Sequence, residues 1–379
     1  MNGTANDTAS DARLAPWPEA LVALARPEIR ALATYRHAPW DPAFERLHAN
    51  ENPWRNPADV STAGLNRYPE PHPYGLEARL AELYGVAPDG LLAGRGSDEI
   101  IDLLVRVFCA AGSDAILQCP PTFGMYAVAA GVQGAAVVEV PLLRNQGYAL
   151  DAERVLAAAR STDGPRVKLV FVCAPNNPTG NDVPMEVLEH ILDSLAGRAI
   201  VAVDEAYIEF SARETAASRL ARFPHLVVIR TLSKAYGLAG VRCGVALAHP
   251  TLIGLLRRAI PPYAIPEPCI EAILAALGPT GLDASRATRE KLLAERPRLM
   301  AALATSPWIS RVWASESNFV LVDCKDAGVV MARAREVRLL LRDFSGGALT
   351  PGAVRISLGT PEQNTRLLQA LDCSSEVFP

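Results

Sequence analysis

From about residue 76 to 250 this chain alternates segments of helical apolar spacing with short apolar runs of strand length, and that alternation constrains its fold more than any other feature. Helical patterning in LEARLAELYGV and SDEIIDLLVRVFCAAG is followed by DAILQC, VKLVFVCAP, RAIVAVDEAY, LVVIRTLSK and VRCGVALAH. A strand buried on both faces reads as a continuous apolar run, and helices link such strands into a parallel sheet, so the pattern predicts an α/β unit with a mostly parallel sheet between helices. The proline-rich run IPPYAIPEPC at 260–269 interrupts it and marks a boundary. Beyond lie a long helical segment, ASRATREKLLAERPRLMAALAT, and two strand candidates, SNFVLVD and AVRISLGT. They predict a smaller α+β unit, to which the N-terminal arm is expected to return. The length of 379 residues agrees with two units, since one domain ordinarily takes roughly 100–200. Open α/β sheets bind ligands beyond the carboxyl ends of their strands, where CAPNNPTG and VDEAYIEF emerge.

Composition narrows the partners. The formal net charge is −4, and the arginines are dispersed rather than gathered into basic runs, which gives no general attraction to nucleic acid. Seven cysteines form no CxxC pair, so reduced, buried thiols are expected, and the six histidines show no metal-ligand spacing. No apolar stretch approaches the ~18 residues of a membrane span, and the first residues lack a basic and then apolar leader. A cytoplasmic protein with a small-molecule partner is expected, with neither metal, membrane nor nucleic acid.

Only four of the 37 basic residues are lysines, at 168, 234, 291 and 325. Lys234 follows apolar LVVIRTL and precedes the small-residue turn AYGLAG, with Arg242 eight residues on. An amine attacks carbonyls only when unprotonated, so a partly desolvated site near another cation is the setting such a lysine needs. Asp204 closes a buried-looking strand and is followed at +3 by Tyr207; an acid there must find a cation or several donors. Asn177 stands in the turn NNPTG after another strand. In GRGSDEIID, Ser97 and Asp98 open a helix whose free N–H groups can bind phosphate. Arg355, inside a strand-like run, carries the planar donor fork that suits a carboxylate or phosphate. Taken singly, each has a plain structural reading: a helix cap or salt bridge for Asp204, a turn for NNPTG, an N-cap for Ser97 or Asp98, an outward-facing arginine.

Taken together, HANENP, NRYPEP, GRGSDEIID, CPPTFGMY, APNNPTG, VDEAYIEF, RTLSKAYGLAGVRCG, SNFVLVD and VRISLGT resemble, in order and spacing, the histidinol-phosphate aminotransferases, a branch of the fold-type-I enzymes that use pyridoxal 5'-phosphate. The resemblance runs from Tyr35 to about residue 370. It implies a large cofactor-binding domain over 46–264 with a mostly parallel, seven-stranded-type sheet, and a smaller α+β domain made of 1–45 and 265–379. It implies that Lys234 bonds the cofactor and then moves the substrate's α-proton, that Asp204 faces the ring nitrogen, and that Tyr207 and Asn177 meet the ring oxygen. Ser97, Asp98, Ser233 and Arg242 would hold the cofactor phosphate, with Tyr68 reaching it from a second subunit of a homodimer. Phe123 stands where family members often place a tyrosine, and stacking on the ring needs only a π-face.

For the substrates, Arg355 resembles the arginine that accepts both the phosphate of histidinol phosphate and the carboxylate of glutamate, while Arg342 and Tyr35 resemble further phosphate contacts. The reaction implied is amino-group exchange between L-histidinol phosphate and 2-oxoglutarate, giving imidazole-acetol phosphate and L-glutamate, a step of histidine biosynthesis. The alternatives are an aromatic amino-acid aminotransferase or a phosphorylated amino-acid decarboxylase of the same fold, and, more remotely, a non-catalytic regulator that binds pyridoxal phosphate.

Overall fold

The computed structural model describes residues 17–33, 35, 41 and 43–374. Seven strands form the larger sheet: β1 (Leu91–Gly94), β2 (Asp114–Gln118), β3 (Ala136–Glu139), β4 (Arg166–Cys173), β5 (Ile200–Asp204), β6 (Leu226–Thr231) and β7 (Gly244–Ala248). Their order is β1-β7-β6-β5-β4-β2-β3, with β7 antiparallel to both of its neighbours and the other pairs parallel. The mostly parallel sheet read from the apolar runs is present. Two strands went unread: β1 and β3 are four residues each, at opposite edges, and β3 is only partly buried. An edge strand of that length carries too few residues to declare a period.

The central strands β5 and β6 are buried along their whole length. One face packs on the helices Ser97–Phe108, Met125–Gln133 and Pro250–Ala259, the other on Ala152–Arg160 and Met185–Leu195. Helix Ser97–Phe108 shows why: Ile100, Ile101, Leu103, Leu104, Val107 and Phe108 fall on one side and are all buried, while Asp102 and Arg106 pair at 2.8 Å on the other.

Four further strands, β8 (Ile309–Val312), β9 (Phe319–Cys324), β10 (Arg342–Asp343) and β11 (Ala353–Ser357), form an antiparallel sheet ordered β10-β11-β9-β8. It shares a separate core with the helices Ala327–Glu336 and Pro361–Ala370. The 25-residue helix Pro279–Leu303 links the two units, since Leu282 packs on the larger core and Leu299 and Leu303 lie in the smaller one.

Packing departs from the expected division at two places. Leu21, Leu24 and Ala25 of the N-terminal segment are buried with Leu252 and Ile253 on the larger unit, so the described part of the arm does not return to the smaller one. Helix Glu267–Ala276, which begins at the end of the proline run, buries Ile270 and Ile273 in the larger core. In both, an apolar helix face takes the nearest open flank of the larger unit, which linear order does not reveal.

Candidate active site

The carboxyl ends of β4, β5 and β6 deliver Cys173, Asp204 and Thr231 to one cavity, and the loops that follow add Asn177, Tyr207, Ser233 and Lys234. Ser97, Asp98, Phe123, Ala206, Ala239 and Arg242 complete its wall. Nine residues that the sequence singled out, spread between positions 97 and 242, thus converge on one side of the sheet.

Asp204 is 2% exposed and accepts from the Tyr126 hydroxyl (2.7 Å, Oδ2) and the Ala206 N–H (3.1 Å, Oδ1). Burial pushes its carboxyl up to about 6, against the pull of those two donors. Its neighbour Glu205, equally buried, is held by Arg213 at 2.9 Å with Arg230 at 3.7 Å. Among the described residues Asp204 has no such cation within ion-pair distance, although it borders the cavity. A buried carboxylate left with two neutral donors is what a cationic ring nitrogen requires.

Lys234 projects into the cavity, its Nζ 5.7 Å from the centre of the Tyr207 ring. Desolvation pulls its amine below the usual lysine range; Arg355 and Arg242 reinforce the shift, and Asp98 and Asp204 oppose it. Tyr207 is itself buried and meets Phe319 edge-on at 5.1 Å. Burial raises its phenol well above the usual range.

The phosphate corner is built by close backbone approach. Gly96, at φ +82°, occupies the N-cap position of helix Ser97–Phe108, and no side chain caps that helix, which leaves its first N–H groups for a ligand. A Cβ on Gly244 would overlap the Ser97 backbone nitrogen, so glycine at the start of β7 lets the helix end sit against the sheet. Arg242 pairs with Asp98 at 3.1 Å, and the Thr231 hydroxyl lies 3.0 Å from that of Ser233. The cap reading of Ser97 or Asp98 is therefore corrected: Gly96 takes the cap, because the chain enters this helix at a positive φ with extended ψ (82° and 169°), a conformation essentially confined to glycine.

Beside the cavity, Arg355 donates to Oδ1 of the wall residue Asn177 and packs over Phe319 at 5.1 Å, while its Nε is buried without a partner. Arg342 stands directly opposite Arg355 in the β10–β11 register, and both guanidinium groups lie over Phe344, at 5.7 and 5.5 Å. Like charges opposite one another on a sheet repel, so the pair is suited to an anion between them. Arg342 itself is exposed and outside the cavity wall. Tyr35 and Tyr68, 68% and 51% exposed, also lie outside it, and Tyr68 stacks on Tyr263 at 4.8 Å. Within one chain the structure therefore brings together every expected cofactor residue except Tyr68.

The sequence reading assigned nothing to Tyr126 or Thr231. Thr231 had a signal, three residues before Lys234 at a strand end. The contact of Tyr126 with Asp204 joins residues 78 positions apart, for which no local signal exists.

These side chains fit pyridoxal phosphate: an amine for its aldehyde, a buried acid without a cation, a ring face at Phe123, and an uncapped helix start with an arginine for its phosphate. The comparisons agree. A family model described as aminotransferase class I and II matches residues 47–371. The histidinol-phosphate aminotransferase of Stenotrophomonas maltophilia (strain R551-3) is 45% identical over 354 residues, which cover 93% of this chain and 96% of that relative. That of Xylella fastidiosa (strain 9a5c) is 47% identical over 326 residues, 86% of this chain and 88% of the relative. Among solved structures, the histidinol-phosphate aminotransferase from Sinorhizobium meliloti in complex with pyridoxal-5'-phosphate matches with a TM-score of 0.72 at 27% identity, over 82% of each chain. The one from Clostridium acetobutylicum also gives 0.72, at 23% identity over 81% of this chain and 90% of that one, a likeness of fold alone. An amine, an acid without a cation and paired arginines on this frame, with relatives alike along nearly their whole length, place the chain in the aminotransferase class I and II family, among the histidinol-phosphate aminotransferases.

Proposed function

We propose that this enzyme exchanges an amino group between L-histidinol phosphate and 2-oxoglutarate, giving imidazole-acetol phosphate and L-glutamate, in histidine biosynthesis. The observation that carries the reading is the meeting of Lys234 and Asp204 in one cavity, Asp204 having no ion-pair cation among the described residues, with Arg355 hydrogen-bonded to the cavity residue Asn177 and Arg342 opposite Arg355 in the strand register. Bound there, pyridoxal phosphate supplies a heterocycle that takes up the electron pair left when the substrate's α-proton is removed. Lys234 holds the cofactor between turnovers; once its Nζ is free, it takes the α-proton, a task eased by an amine already depressed by desolvation and by Arg355. With the cofactor bound, Asp204 would keep its ring nitrogen protonated and Asn177 and Tyr207 would serve its ring oxygen. Ser97, Asp98, Ser233 and Arg242 would hold its phosphate, and Phe123 would offer the ring its π-face.

The two substrates share an anion at one end, a phosphate in one and a carboxylate in the other. Arg355 serves both, and Arg342, with Tyr35, favours the dianion. The larger unit over 46–264 would hold the cofactor while the C-terminal unit brings in the two arginines. Tyr68 is read as acting from the partner subunit of a homodimer. The same reading places the enzyme in the cytoplasm: all seven cysteines are free, and no described helix is long and apolar enough to cross a membrane.

Half-reactions on the purified yellow enzyme test this. Histidinol phosphate and glutamate are expected to bleach the cofactor's visible band far faster than phenylalanine or tyrosine; an aromatic amino acid reacting as well as histidinol phosphate overturns the substrate assignment. Borohydride reduction and peptide mapping are expected to label Lys234, and a label on another lysine overturns its role. Lys234→Ala is expected to lose transamination by at least about 10⁴-fold while still binding the cofactor noncovalently.

A further inference from the structure

Tyr126 opens the helix Met125–Gln133 and is wholly buried. Its ring lies flat on Phe171 of β4, centroids 4.5 Å apart and planes 5° from parallel, and meets Phe123 edge-on at 5.7 Å and 86°. So held, its hydroxyl donates to Asp204 Oδ2 at 2.7 Å, with the Cys173 thiol beside it. The Ala206 N–H occupies Oδ1 at 3.1 Å. A carboxylate offers about four lone-pair sites, so two donors fix its plane and leave acceptor capacity turned to the cavity it lines. Unlike Glu205, this carboxylate is given no arginine among the described residues. A neutral donor orients it and favours its charged form without competing, as a guanidinium would, for the place of a ligand cation.

We propose that Tyr126 is a positioning residue of the reaction: its hydroxyl sets the rotation of the Asp204 carboxylate and keeps it the ionised acceptor for the cofactor's ring nitrogen, while its ring edge backs Phe123. The inference rests on the pyridoxal phosphate reading above. The groups facing Asp204 are Asp98 from the helix start, Cys173 from β4, Glu205 beside it, and Tyr207 and Lys234 from the loops. Among the described residues, none of these donates to the carboxylate through a side chain; the Tyr126 hydroxyl does. Its removal weakens the charged form, so the carboxylate is lost at a higher pH on acidification.

The test compares wild type, Tyr126→Phe and Phe171→Leu as full-length holoenzymes. If wild type neither binds pyridoxal phosphate nor exchanges amino groups, the reading above fails, whatever Tyr126 does. With wild type active, Tyr126→Phe keeps the ring contacts and is expected to lower kcat about tenfold in both half-reactions, with KM within about twofold, since a hydrogen bond to a charged group carries roughly that factor or more. Cofactor dissociation, read by absorbance, is expected to strengthen about tenfold, and the acid limb of kcat to move up by about one pH unit. Phe171→Leu removes the stack but keeps the hydroxyl; it is expected to lower the melting temperature and leave the acid limb in place. Wild-type kcat and limb in Tyr126→Phe overturn the proposal. So does an equal limb shift in Phe171→Leu, which assigns the effect to packing, and so does a loss of kcat in Tyr126→Phe with the limb unmoved.

Discussion

Asp204 shows how a functional residue strains the chain that carries it. Its carboxyl is raised from 3.8 to about 6 by burial. Between those values the folded, cofactor-free protein holds a proton that the unfolded chain releases, so stability falls as pH rises through this window and the penalty is complete above about 6. Asp204→Asn is therefore expected to stabilise the cofactor-free protein at pH 7.5, by at most about 3 kcal/mol, read as a higher urea midpoint. The gain should shrink as pH falls from 6 toward 4. The same variant is expected to lose at least about 10²-fold in kcat; a destabilised variant contradicts the picture of an uncompensated buried acid. At this scale the residue types were legible from strand-end settings and motif order. The absence of a cation beside Asp204 was not, because it depends on where Arg213 and Arg230 point, and both serve Glu205.

Strand register does what no single side chain can. The pairing of Arg342 with Arg355 follows from a two-residue strand, β10, laid on β11. Arg342→Ala is expected to cut kcat/KM for histidinol phosphate by about 10–100-fold and that for glutamate by less than about threefold, since a bidentate charged contact carries roughly 1.5–3 kcal/mol. Steady-state kinetics on both substrates check it, and equal losses would move the phosphate contact elsewhere. Gly244 makes the corresponding case on the cofactor side. Gly244→Ala would push the start of helix Ser97–Phe108 off the sheet, and is expected to weaken cofactor affinity at least about tenfold with a stability loss of roughly 1–3 kcal/mol, the usual cost of overpacking. The central strands were legible as apolar runs. Strands β1, β3, β8 and β10 were not, since two to four residues at an edge or on a small sheet carry no periodic signal.

At the scale of the whole molecule, the region 43–74 exposes Phe44, Leu47, Trp54, Val60, Leu65, Tyr68 and Tyr74, several of them beyond 70%. So much apolar surface in one stretch calls for a covering partner, and the reading of Tyr68 makes that partner a second copy. The enzyme is expected to run in light scattering at twice its 40.5 kDa. Mixing Lys234→Ala with Tyr68→Ala subunits under exchange conditions is expected to restore activity that neither variant has, because a hybrid assembles one site from two intact halves; no recovery would place Tyr68 in its own chain's site. By itself the sequence determined the fold class, the central strands and most residues of the cofactor cavity, because apolar period and motif order are properties of neighbours along the chain. Tertiary structure alone decided the flank on which the N-terminal helix packs, the opposition of Arg342 and Arg355, and the contact of Tyr126 with Asp204. Each of these depends on the register or approach of segments distant in sequence, which side-chain packing sets only once the chain has closed on itself.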